Sequence, residues 1–246
     1  MHKHIAIIFG ILFVSLSLQA QIHIFLNEQG IEMDDGRLSA WVFPIPGEMD
    51  DAFDSFQDYC KERSDLRLKN GGDNILIAEK ISLPNISTKR GDLIAYAYDN
   101  SMYTAFAVAF QLGYDISLNS KEFEVEMGTL RNYTKEFMTY LYAHYYSDKT
   151  EVLEKEQKSL EKDLAREKSN ISSLKKKVAG LKSKIEKETE TSKIEELNVE
   201  VNAMTVEIED ISALLPVISS RIEDLKREVN KYQTESLQYH NVIASL

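Results

Sequence analysis

Apolar residues recur at alternating spacings of three and four from Thr150 to Leu246, and this pattern restricts the fold more than any other feature of the chain. Such spacing places one apolar stripe along a helix, and the stripe has to be covered by another helix. The first run extends from Leu153 to Ile185 and the second from Ile194 to Tyr232. The phase jumps by two residues between them, which a continuous coil does not absorb. The sequence therefore predicts two helices.

Charge patterning predicts that these helices fold back on each other as an antiparallel hairpin. The stretch 175–187 carries six lysines and one glutamate, whereas 195–210 carries six acids and no base. A turn near residues 189–192 aligns the apolar layers, so that Leu181 faces Val201 and Leu174 faces Ile208. The same register predicts four charged pairs, of which the last is a like pair: Lys177–Glu207, Lys184–Glu200, Asp163–Arg221 and Glu156–Glu228. A parallel homodimer would set Lys177 against Lys182, so a hairpin within one chain is expected, and further homo-oligomerisation is left open.

Two local signals lie within the coil. Ser192 and Glu195 have the spacing of a capping box, which predicts the start of the second helix. Pro216 falls inside the second run, but the apolar phase continues through it, which predicts a kink and not an end. Glu167 lies opposite this proline in the predicted register, so the seam should be loose there.

Residues 1–20 have the features of a cleaved signal peptide. His2 and Lys3 precede an apolar run from Ile5 to Leu18, and cleavage is expected after Ala20. The apolar run is too short for an ordinary membrane span, and no cysteine near the cleavage site offers a lipid anchor. We therefore expect a secreted protein that is soluble, without a stable membrane anchor, in the periplasm or outside the cell.

Residues 21–148 are expected to form an α+β domain with an antiparallel sheet in the order ββαβββα. The turn Asp34–Gly36 joins the first two strands, and Asn100 with Ser101 suits a hairpin between the last two. Ala95, Ala97, Ala105 and Ala107 alternate with larger residues, which predicts one thinly covered face. The expected elements are strands at Ile22–Leu26, Leu38–Ile45, Asn74–Ile81, Asp92–Tyr98 and Tyr103–Gln111, a helix from near Met49 to Lys69, and another from Lys121 toward Asp148.

The charge of the chain and the motifs that it lacks exclude several classes of function. Residues 21–148 carry 21 acids and 11 bases, so nucleic acid is not an expected partner. The chain lacks a phosphate-binding loop, a dinucleotide fingerprint, a zinc pattern and a hydrolase elbow, which predicts no cofactor and a non-catalytic protein. Cys60, the single cysteine, shares a helix face with Phe53 and Phe56 and is expected to be a buried structural thiol.

Two residue clusters resemble binding sites. Acids at the start of the first helix could attract Ca²⁺, but their spacing is not that of a calcium loop, so a solvated helix face is the favoured interpretation: Glu48, Asp50, Asp51, Asp54 and Asp58. An aromatic cluster should form where the hairpin meets the domain. It is either ordinary packing or a ring-stacking ligand site, and it includes a candidate metal pair in its two histidines: Tyr142, His144, Tyr145, Tyr239 and His240.

The order of parts resembles that of uncharacterised secreted proteins of Bacteroidetes. The residues that carry this resemblance are the Ala20–Gln21 cleavage site, the turn at Leu112, Gly113 and Tyr114, and the C-terminal heptad hairpin. This resemblance implies no active site. The expected function is binding, scaffolding or spacing for a protein partner through the hairpin at 149–246 and the acidic domain. The alternative is an envelope enzyme, or a receptor for a small ligand or metal, with its site in the acidic domain or the aromatic cluster.

Overall fold

The computed structural model describes residues 25–33, 36–113 and 116–245. The expected signal peptide at 1–20, most of the expected first strand at 22–26, the Asp34–Asp35 part of the first turn, and Tyr114 lie outside this range.

The chain has the α+β fold expected from its sequence, with an antiparallel sheet followed by a long helical hairpin. The sheet has seven strands in the order β1-β2-β6-β5-β4-β3, and β7 pairs with β6. The strands are β1 Asn27–Met33, β2 Gly36–Pro44, β3 Lys69–Gly72, β4 Ile75–Ile81, β5 Gly91–Asp99, β6 Thr104–Leu112 and β7 Ile116–Ser117. The helices are α1 Met49–Ser64, α2 Glu124–Ile185 and α3 Thr191–Ser245. We call β1–β7, α1 and α2 up to residue 148 the head, and residues 149–245 the hairpin.

The head contains two strands that the sequence did not predict, and its first strand is displaced. Strand β1 lies at Asn27–Met33, C-terminal to the expected 22–26. Helix α1 ends at Ser64 instead of Lys69, because Asp65 turns left-handed (φ 50°). The Asp65 N–H donates to the Lys61 carbonyl, and the Leu66 N–H donates to the Cys60 carbonyl. The following Asn-Gly-Gly sequence forms the end of β3, with a register shift between Asn70 and Gly72 and a φ of 134° at Gly72. Asp73 and Asn74 form the turn to β4, and Asn74 has a φ of 58°. The two-residue strand β7 is too short to produce a pattern.

The β5–β6 hairpin is confirmed, but its register distributes the alanines differently from the prediction. The Asn100 N–H donates to the Tyr103 carbonyl at 2.8 Å in the turn. Ala97 pairs with Phe106 on the face covered by the helices, and Tyr98 pairs with Ala105 on the other face. The expectation that all four alanines share one face is wrong, because this register sets each of them opposite a larger side chain.

Aromatic rings fill the core between the sheet and the helices. Phe137 from α2 contacts Phe56 from α1 with ring centroids 4.7 Å apart, and Phe106 from the sheet at 5.2 Å. Phe43 adds an edge contact to Phe137 at 5.9 Å. All four rings are buried, so this cluster fixes α1 and α2 against the same face of the sheet.

Helix α2 continues from the head into the hairpin without interruption. The expected domain boundary between residues 148 and 149 lies inside this helix. Its first part buries Met127 and Leu130 in the head, and its last part buries Leu174 and Leu181 in the hairpin. The apolar face thus rotates along one helix from the sheet to the partner helix, as the phase of the sequence indicates.

The turn of the hairpin comprises residues 186–190, slightly before the expected 189–192. Helix α3 begins at Thr191, and the Ile194 N–H donates to the Glu190 carbonyl. The capping box predicted at Ser192 is therefore wrong. The Glu188 carboxylate instead accepts the N–H groups of Thr189 and Glu190 at 2.9 and 3.1 Å. A glutamate side chain thus accepts the free backbone N–H groups of the turn, a role that the sequence had assigned to a serine.

The apolar seam between α2 and α3 follows the predicted heptads. The predicted seam positions are buried or partly buried, and the fully buried ones include Ile171, Leu174, Leu181, Val201, Ile222, Leu225 and Val229. Cross-helix hydrogen bonds join Arg221 to Glu156 and Gln233 to Glu154, both at 2.9 Å. In the predicted register each is a diagonal contact, one heptad away from the level pairing, and the two lie on opposite sides of the seam. The contacts are consistent with that register.

The charged pairs differ from the prediction. Arg221 binds Glu156 and lies 3.5 Å from Glu228, so it bridges the two acids expected to repel each other, while Asp163 pairs with Arg166 at 3.3 Å. Within the described residues Lys177 and Glu207 form no ion pair, nor do Lys184 and Glu200. Long side chains on this open surface are not held at the level positions, because exposed pairs contribute little free energy.

Helix α3 continues through Pro216, so this residue does not end the helix. The seam is more open around the proline, where Leu215 and Ile218 are only partly buried, than nearer the head, where Leu225 is fully buried. Glu167, the charged seam residue expected opposite, accepts a hydrogen bond from Asn170 at 3.1 Å. Met204 and Ile208, farther from the proline, are also only partly buried, so the local looseness expected at this level stays a prediction.

Candidate functional site at the neck of the hairpin

Tyrosine rings connect α2 and α3 where the hairpin leaves the head, in a region that we call the neck (residues 140–149 and 232–240). Tyr142 contacts Tyr239 with centroids 5.0 Å apart, and Tyr146 stacks on Tyr232 and Tyr239 at 5.8 Å each. The spacings of four along α2 and seven along α3 place these rings on facing sides of the two helices. They form a packed ladder that closes the base of the hairpin.

This ladder is tied to the sheet by one hydroxyl group. The Tyr142 hydroxyl donates to the Pro44 carbonyl of β2 at 2.7 Å. Burial raises the pKa of Tyr142 well above its ordinary value, and the pKa of Tyr239 to about 12 through burial and the nearby Glu235 carboxylate. Both phenols therefore stay neutral over the physiological pH range, which suits a structural contact.

The predicted neck residues fall into separate environments. Tyr142 and Tyr239 lie together in the ladder, and Tyr145 contacts it at its edge through Tyr146 at 5.3 Å. His144 lies on the side of α2 that faces α1, where its ring contacts the Tyr140 ring at a tilt of 46°, with centroids 4.3 Å apart. His240 is exposed on α3. Among the described residues no three His, Cys, Asp or Glu side chains are placed to hold a metal ion, and the two histidines do not form the centre of one.

A groove of about 580 Å³ lies between the first turns of α1 and the neck segment of α2. Ile45, Ala52 and Leu141 contribute its apolar lining. Its polar lining combines two clusters that the sequence left separate, with Glu48, Asp51, Asp54 and Asp58 on the α1 side and His144, Tyr145, Asp148 and Lys149 on the α2 side. The spacing of Asp51, Asp54 and Asp58 puts these carboxylates on one helix face, but nothing in the sequence indicated that this face meets His144.

The charge of the groove is strongly negative. Five carboxylates line it and Lys149 is the one Lys or Arg side chain among the lining residues. The Lys149 ammonium lies over the Tyr145 ring, with its nitrogen 5.4 Å from the centroid. Such a ring attracts cations through the negative charge on its face. The groove thus combines five carboxylates with a tyrosine ring that already holds one cationic side chain over its face.

Cys60 does not contribute to this groove. It is fully buried, and its sulfur lies 3.2 Å from the Tyr133 hydroxyl. Burial raises the pKa of the Cys60 thiol to about 12, so the reactive thiolate is absent at neutral pH. The prediction of a buried structural cysteine is confirmed.

No family model, curated protein or solved structure matches this chain. Within the described residues, none of the helices has a stretch both long enough and apolar enough to cross a membrane.

Proposed function

We propose that this chain is an exported, non-catalytic binding or scaffold protein whose helical hairpin is the contact surface for a protein partner. The observation that carries the proposal is the length of the hairpin beyond the head. From 153 to 185 helix α2 extends for about 50 Å at 1.5 Å per residue, covered on one face by α3 alone. Such an extension gives little to the stability of the head, but it gives a large surface for contact.

The charges of the hairpin support the same proposal. Lys175, Lys177 and Lys182 on α2, and Glu200 and Glu207 on α3, form no ion pairs among the described residues. Charges of opposite sign on two sides of one rod steer a partner with complementary charges and set its orientation. The signal peptide expected at 1–20 places this activity in the periplasm or outside the cell.

A shortened hairpin tests this proposal. Deleting residues 171–184 together with 198–211 removes two heptads from each helix at the same level, so the turn and the remaining register are kept. We expect partners captured from an envelope extract by the full chain to be lost with the shortened chain. Asp73→Asn, an exposed change in the head, is the control and should leave capture intact. Identical partners for the full and shortened chains would contradict the proposal.

The neck groove supports a second candidate function, a receptor for a small organic cation. The structure brings Asp51 and Asp54 of α1 next to Tyr145 of α2 in one cavity, which converging polar groups and an aromatic face make suitable for an amine. On this alternative the hairpin would position the receptor and the head would bind the ligand.

Thermal shift measurements discriminate the two candidates. Spermidine is expected to raise the melting temperature if the groove binds cations, because a ligand that binds only the folded state stabilises it, and the gain grows with the logarithm of the ligand concentration above Kd. The double variant Asp51→Asn with Asp54→Asn should abolish the rise, while Asp73→Asn should keep it. Neutral sugar, Ca²⁺ and Zn²⁺ serve as comparison ligands. If spermidine gives no shift, or the same shift in all variants, the groove is not the receptor site.

A further inference from the structure

Helix α3 carries a second apolar seam on the face that points away from α2. Val199, Val206 and Ala213 are seven residues apart, and Ala203 and Val217 lie at the intervening heptad position. The alternation of four and three is the same as that of the buried seam, but it is rotated to the opposite side of the helix. One helix of the hairpin is thus built to contact helices on two sides.

The second seam is exposed. Val199 is 69%, Val206 56% and Val217 66% exposed, and the adjoining Leu214 is 57% exposed. These four account for most of the exposed large apolar residues of α3, where Leu237 is the other. The seam extends for about 27 Å along the helix at 1.5 Å per residue. A helix of five turns would cover it.

Acids flank this seam on both sides. Glu195 and Glu209 lie along one edge and Glu200 and Glu207 along the other, at the positions that set charge preference between paired helices. Within the described residues none of the four forms an ion pair. Asp210 occupies the seam position between Ala203 and Val217. Every charged group along the seam from 195 to 210 therefore favours basic residues in whatever covers it.

We propose that the outer face of α3 from Val199 to Val217 binds a cationic amphipathic helix of another protein, which packs against the hairpin as a third helix. This inference rests on the proposed function, since it specifies the chemistry of the hairpin's partner. The partner presents apolar residues at heptad spacing and Lys or Arg at the flanking positions. The outer face of α2 does not meet this description in a second copy, because its outward heptad positions hold Ser169, Ser173, Lys176 and Gly180 in place of large apolar side chains.

Two synthetic helical peptides and the full chain test the proposal. Both peptides have leucine at the seam positions, and they carry either lysine or glutamate at all flanking positions. Fluorescence anisotropy is measured at low and at high salt. The lysine peptide is expected to bind at least about tenfold more tightly than the glutamate peptide, and salt should weaken it, because the attraction between exposed charges is screened.

Matched variants locate the binding surface. Val199→Asn with Val206→Asn is expected to weaken the lysine peptide at least about tenfold, because the peptide no longer covers apolar surface there. Val125→Asn is the control, since this valine in the first turn of α2 is 78% exposed and lies outside the neck groove. It should leave the affinity unchanged. Asp51→Asn with Asp54→Asn tests the competing site, because a loss of affinity in this variant would mean that the lysine peptide binds the neck groove. Circular dichroism confirms that each variant keeps its helix content.

Several results would overturn the proposal. Equal affinity for both peptides would do so, as would the absence of saturable binding of the lysine peptide. A loss of affinity in the Val125 or the Asp51/Asp54 variant equal to that in the Val199/Val206 variant would also do so. The full chain could instead form a dimer and bind neither peptide. If the Val199/Val206 substitutions then made the chain monomeric, the outer face of α3 would be the contact with a second copy of this chain. The point variants leave the hairpin length intact. Suppose that partners are captured by the Val199/Val206 variant but not by the chain with the shortened hairpin. That result would contradict binding at the second seam and would leave the proposed function of the hairpin intact.

Discussion

Individual hydroxyl and thiol groups decide how the neck and the core respond to substitution. The Tyr142 hydroxyl joins the base of the hairpin to the sheet through the Pro44 carbonyl. We expect Tyr142→Phe to lower the free energy of unfolding by about 1 kcal/mol, because a buried acceptor loses its donor while the ring remains. Urea unfolding measures the change. Tyr145→Phe is the control, and its free energy of unfolding should be nearly the same as that of the unaltered chain. An equal loss of stability in both variants would mean that the hydrogen bond to Pro44 does not stabilise the fold.

The Cys60 thiol gives a prediction about pH. Its pKa is raised to about 12 in the folded chain, so the folded state keeps the proton where the unfolded state loses it. The stability that comes from this burial is fully present below pH about 9 and is lost as the pH rises toward 12. We expect a disulfide reagent at pH 8 to leave Cys60 unmodified in the folded chain and to modify it in urea.

An added exposed thiol controls this experiment. Ser101→Cys places a cysteine in the exposed β5–β6 turn, which should react at once without urea. Equal rates for Cys60 and the added cysteine in the folded chain would contradict the buried position of Cys60.

At the scale of the element, Pro216 is a residue of low helix propensity inside a long helix. It lies inside α3, where it removes one backbone hydrogen bond of the helix. We expect Pro216→Ala to raise the free energy of unfolding by about 1–3 kcal/mol, up to the full difference in helix propensity between the two residues. Ser220→Ala, one turn later on the exposed side, should change it by less than about 0.5 kcal/mol. A loss of stability in Pro216→Ala would mean that the seam is packed around the bend.

Elements with a sustained period were predictable from the sequence, and short or rearranged ones were not. The hairpin seam follows from heptads because burial of the stripe dominates its stability, and that stripe holds over many turns. The Asn-Gly-Gly sequence is compatible both with the end of a helix and with a short strand before a turn, so β3 could not be distinguished from a helix end. The predictions of charged pairs in the hairpin were wrong because exposed side chains choose among several partners at little cost in free energy, and Arg221 contacts both Glu156 and Glu228 instead of Asp163.

At the scale of the whole molecule, the neck groove depends on how α1 and α2 pack. Both residue clusters that line the groove, the acids of α1 and the residues around His144, were recognised in the sequence. They meet only because ring contacts among Phe56, Phe106 and Phe137 pack α1 and α2 together. Such contacts join residues far apart in the chain, and no local pattern encodes them. The hairpin needed only the chain direction to reverse once, which explains why its architecture was predictable and that of the groove was not.

The central claim about the molecule is that α2 and α3 pair within one chain. In a Cys60→Ala background, Lys177→Cys with Glu207→Cys places two thiols at the same level of the hairpin, while Lys177→Cys with Glu223→Cys places them about 24 Å apart along it at 1.5 Å per residue. A short bismaleimide is added at low protein concentration. We predict that the first pair gives a cross-linked product at the mass of the monomer, and that the second pair does not. Covalent dimers from the first pair would show that the helices pair between chains, and would contradict the hairpin.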